Sequence, residues 1–91
     1  MNTETLAKAN ALAKKIAEED KNLSRCMAMK DLVASYPDKR YIVKVTLSAN
    51  FNGDIDEFTM RGRELADIIL NTSEKLLQKT LSDYMEAFQK L

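Results

Sequence analysis

Only three residues of the 91 are Gly or Pro, and Pro37, Gly53 and Gly62 all fall in the middle of the chain. The stretches before Pro37 and after Gly62 therefore carry no strong breaker. Both are rich in Ala, Lys, Glu, Leu and Met, which favour helix. In the first, Leu6, Ala9, Ala13 (or Leu12) and Ile16, then Leu23, Met27 and Val33, recur at helical steps. The stripe breaks at Asp20, and "DKNLS" offers a stop at Asn22 and a fresh N-cap at Asn22 or Ser24. One interrupted helix and two helices joined by a bend near residues 20–24 both fit, and the bend is favoured. Tyr36 precedes Pro37 and is biased out of the helical region, which ends the helix there.

The centre reads differently. In "RYIVKVTLSAN", Tyr41, Val43, Val45, Leu47 and Ala49 alternate with Lys44, Thr46, Ser48 and Asn50, so a strand is expected, with Ile42 the one break in its polar face. "SANFNGDIDEFT" has some calcium-loop spacing, but Ser48 and Thr59 occupy the positions that need carboxylates. Asn52-Gly53 is instead a two-residue hairpin turn. Centring the turn there sets Leu47 against Phe58, Val45 against Met60, Thr46 against Thr59 and Lys44 against Arg61. After the hairpin, Leu65, Ile69, Leu70, Leu77, Leu81, Tyr84, Phe88 and Leu91 restore the helical period. The last five step by four, three, four and three residues, a coiled-coil-like seam.

The expected fold is α+β and mainly helical. It has a helix over about residues 3–36, a hairpin over about 41–60 and a helix over about 63–91, in one α-β-β-α domain. A chain this short buries only about 60–65% of its unfolded surface, and lone Cys26 offers no disulfide. Ile68, Ile69 and Leu70, with Leu76 and Leu77, widen the apolar arc of the last helix beyond one seam. Self-association as a dimer or larger assembly is therefore expected, with Leu70, Leu77, Leu81, Tyr84, Phe88 and Leu91 as its interface.

There is no histidine, and the 14 basic and 14 acidic residues balance. The first fact removes the commonest general base and metal ligand; the second lowers the weight of a nucleic-acid role. Asp31, Asp38 and Asp83 form no acid–base pair, and Glu18, Glu19 and Asp20 read as a solvated face. Cys26, Met27 and Met29 read as core or gap-filling thiol and thioethers, and catalysis by Cys26 would need a histidine, which is absent, or another activating neighbour. No enzyme activity, catalytic residue, cofactor or metal is expected. With no basic n-region leading into an apolar core, and no run near the ~18 residues of a membrane span, a soluble cytoplasmic protein with no membrane partner is expected.

The one candidate site is basic. Lys39, Arg40, Tyr41, Lys44, Arg61, Gly62 and Arg63 gather at the open end of the hairpin, where the last helix begins. A helix N-terminus favours an anion, and Gly62 permits close approach to the main chain. The competing reading has these cations paired with Glu64, Asp67 or acids of the first helix.

The charged first helix, the Asn52-Gly53 hairpin and the Leu-rich "LLQKTLSDYMEAFQKL" together resemble small helix–hairpin–helix accessory proteins of phages and prophages. That resemblance implies a non-enzymatic protein that blocks a host factor, or an oligomer that sequesters a signalling nucleotide during defence suppression. The favoured function is a homo-oligomeric binding protein that occupies a host protein or a phosphate-bearing ligand. A nucleic-acid-binding accessory and a structural coiled-coil-like adaptor are the alternatives.

Overall fold

The computed structural model describes residues 2–48 and 55–91, in the order helix, strand, strand, helix. Helix α1 spans Thr3–Ser35. It starts where Asn2 Oδ1 accepts the Thr5 N–H at 2.7 Å, which satisfies one of the unpaired donors of the first turn. It ends where Pro37 forbids continuation, with the Tyr36 N–H bonded to the Leu32 carbonyl. The expected bend near residues 20–24 is absent, and the helix is unbroken. Asn22 is exposed within it, where an unfavourable propensity costs only about 0.7 kcal/mol, against the unpaired backbone groups that a break would create.

Strands β1 (Ile42–Ser48) and β2 (Ile55–Arg61) form a two-stranded antiparallel sheet. The register differs from the expected one by two residues. Val43 pairs with Met60, Lys44 with Thr59, Val45 with Phe58 and Leu47 with Asp56. A two-residue shift keeps every side chain on its face, so alternating polarity cannot tell the two registers apart. The adopted register separates Lys44 from Arg61 and lets Lys44 Nζ reach Glu57 across a diagonal at 3.3 Å. It thereby replaces an expected like-charge pair with an ion pair. The Asn52-Gly53 turn and most of the calcium-like loop lie outside the described residues.

Helix α2 spans Arg63–Gln89. The Gly62 N–H bonds to the Tyr41 carbonyl at 3.0 Å, so the hairpin returns the chain to the level at which it left α1. The helices are antiparallel: Lys15 lies over the Tyr84 ring, and the Cys26 thiol donates to the Leu70 carbonyl. Along α1 the residues screened from solvent run Ala9, Leu12, Ile16, Glu19, Leu23, Cys26, Lys30 and Val33, alternating steps of three and four. Along α2 a matching row runs Ala66, Leu70, Ser73, Leu77, Thr80 and Tyr84. This is an intramolecular coiled-coil seam, and it carries α1 straight through its polar interruption.

The seam is thin. Among the described residues only Ala9, Cys26, Val33 and Ala66 are buried, and no large side chain is fully so. Lys30 and Glu74 bridge the helices as an ion pair, and that bond raises the Lys30 pKa above its ordinary value. Among the described residues no helix is long and apolar enough to cross a membrane.

Candidate functional site

The segment linking α1 to β1 is held by its own backbone and one hydroxyl. The Lys39 N–H donates to the Tyr36 carbonyl at 3.3 Å, and the Tyr41 hydroxyl donates to the same carbonyl and, at 3.4 Å, to that of Leu32. Tyr41 thus supplies one donor, shared between carbonyls at the end of α1, where no basic residue occupies the last turn. Its place in the expected site is thereby tied to a structural role.

With the segment fixed, Lys39, Arg40, Tyr41, Ile42, Arg61, Gly62 and Arg63 line a concavity of about 500 Å³. Six of the seven expected site residues are therefore brought together. Lys44 is not among them: it pairs with Glu57 and lines a separate groove. Ile42, unassigned by sequence reasoning, forms part of the wall; its place as the single apolar residue on a polar strand face was the available signal.

The electrostatics of the concavity are one-sided. Arg63 Nε reaches Asp67 at 3.8 Å, an exposed i,i+4 pair worth little. Lys39 Nζ lies 5.2 Å from the centre of the Tyr36 ring. Among the described residues, neither Arg40 nor Arg61 has an acidic partner within 4.0 Å. Among the described residues, the competing expectation that Glu64, Asp67 or acids of the first helix neutralise these cations is met at Arg63, and Lys44 is paired instead with Glu57.

The backbone adds donors. Gly62 precedes α2 with φ 132° and supplies no side-chain cap, and the first helical bond runs from the Ala66 N–H to the Gly62 carbonyl at 3.2 Å. The N–H groups of Arg63, Glu64 and Leu65 thus lack intrahelical partners. Two guanidinium forks without counter-ions beside a helix N-terminus can hold an anion through several charge-assisted bonds. They supply no nucleophile or general base.

The expected interface residues fall into two groups. Leu70, Leu77, Leu81 and Tyr84 are half-buried on or beside the row that meets α1, whereas Phe88 and Leu91 are exposed. Comparison with protein-family models, with curated proteins and with solved structures finds no match to this chain.

Proposed function

We propose that the protein is a non-enzymatic binding protein that holds a phosphate-bearing ligand at the basic concavity. The observation that carries this reading is the pair Arg40 and Arg61, drawn to one concave site without an acidic partner among the described residues. Guanidinium forks match the oxygen geometry of a phosphate, and unpaired N–H groups at a helix start add donors of the same polarity. The resemblance to phage accessory proteins suggests what such binding would serve, namely occupation or sequestration of a host factor or signalling nucleotide.

Calorimetric titration with pyrophosphate tests the reading. Binding is expected for the wild type, with loss of most affinity in Arg40→Glu/Arg61→Glu while helical circular dichroism is retained. Absence of any heat with pyrophosphate, or binding that survives both charge reversals, would remove the site. The same cations support nucleic acid as a second ligand class. That class predicts an affinity falling steeply with salt, with a slope set by the number of phosphates contacted.

A further inference from the structure

A second concavity, of about 550 Å³, opens between the helices on the side reached by the base of the hairpin. Cys26, Val33 and Ala66, three of the four residues buried among those described, line it. Met29 and Leu32 of α1, Ile42 of β1 and Ile69 of α2 line it too. Met29 is 54% exposed, Leu32 53% and Ile42 63%, so the rim of its apolar lining is uncovered above a buried floor. Leu76, 61% exposed, lies seven residues past Ile69 and carries the same edge two turns further along α2. The opposite flank of α2 has a different character: Asp67, Asn71, Glu74 and Gln78 recur there at steps of four, three and four.

We infer that this grooved face is the self-association surface of the protein, covered by the same face of a second copy across a two-fold axis. Three quantities identify the occupant. The chain is a slab of 55 × 35 × 14 Å, a single layer of helices, whereas stable domains close their cores between two layers. Its radius of gyration is 17.0 Å, against roughly 12 Å for a compact chain of this length. Its accessible surface is 7492 Å², whereas a compact monomer of 10.3 kDa exposes roughly 5,400 Å².

That surplus, roughly 2,000 Å² per chain, is of the size that obligate homodimers bury. A second slab supplies the missing layer, and one apolar face pairs with itself under two-fold symmetry. The balanced charge of the chain sets no long-range repulsion against a second copy, and opposition is confined to local cations, Arg25 and Lys44 in the groove and those of the basic concavity beside it.

Sedimentation analysis of the intact protein tests the inference. The wild type should sediment at twice 10.3 kDa, and its Tm should rise with protein concentration, as it does when folding and association are linked. Leu32→Glu/Ile42→Lys, at two positions more than half exposed, should give a monomer that keeps its helical circular dichroism. Met27→Glu/Met85→Glu, on the other flank of the seam, should remain dimeric. If the charged groove variant does not fold, Leu32→Ser/Ile42→Thr reads the same face, and its dimer Kd should rise at least about tenfold. A monomeric wild type across micromolar concentrations would overturn the inference. So would an assembly of another size, or a dimer that yields to the Met27/Met85 pair but not to the groove substitutions. Occupation of the groove by a different protein or an apolar ligand would appear as one of these outcomes.

Discussion

Gly62 combines φ 132° with ψ 143°, a conformation that only glycine adopts without strain. A Cβ built there meets nothing within 4 Å, so the constraint is the backbone and not crowding. Gly62→Ala should lower stability by about 1–3 kcal/mol in denaturant unfolding. Asn should not rescue it, because the asparagine preference is for the left-handed helical region near φ of about +57°. Lys30 makes a different kind of prediction. Its hydrogen bond to Glu74 raises its pKa, so the contribution of the pair is complete below the ordinary lysine pKa and is lost as pH rises through the raised value. The stability difference between wild type and Lys30→Met should therefore stay constant from neutral to moderately alkaline pH and shrink only in strong alkali. Unfolding curves at a series of pH values read that difference directly. Gly62 was legible in the sequence as a breaker before a helix. The Lys30–Glu74 pair was not, because residues 44 positions apart meet only once the hairpin has set the helix offset.

Within elements, composition located the outer bounds of the helices and the hairpin to within about two residues, since two breaker-free flanks and one alternating centre leave few other arrangements. Continuity and register were harder. A row repeating at three and four steps can override a local stop signal, as it does through Asn22. That gives a direct test: Asn22→Ala should raise stability by about 0.5 kcal/mol in an unbroken helix, whereas it would cost about 1 kcal/mol were Asn22 a cap. Register was hidden by parity, because moving a strand by two residues leaves its faces intact. The cost of the adopted register is visible at Leu47, which faces Asp56 and is 74% exposed. The shift also decides which cation belongs to the basic site. Lys44→Ala should leave pyrophosphate affinity near wild type, while Arg61→Ala should reduce it about tenfold or more, as expected for loss of a charge-assisted fork. Paired titrations of the two variants separate these outcomes.

At the scale of the molecule, the two concavities share a wall. Tyr41 and Ile42 line both the basic site and the apolar groove. No sequence pattern could show this, because it depends on how the base of the hairpin is set against α2. A second copy seated on the groove lies beside the basic concavity of the first, and by symmetry each copy does this to the other. The four cations of the basic concavity, Lys39, Arg40, Arg61 and Arg63, then lie beside the interface in each chain, with Arg25 and Lys44 in the groove itself, partly offset by Asp67 and Glu57. Unliganded, they oppose association; an anion held between them removes that opposition. Binding and dimerisation are therefore expected to be coupled in the favourable direction, and the coupling must be reciprocal. Pyrophosphate should lower the dimer Kd measured by sedimentation. The affinity for pyrophosphate should rise when the protein concentration is taken from below that Kd to above it. Met29→Glu/Leu32→Glu, which alters the groove but no residue lining the basic concavity, should abolish the concentration dependence while retaining weak binding. A dimer Kd unmoved by saturating pyrophosphate would show that the two surfaces act independently despite their common wall.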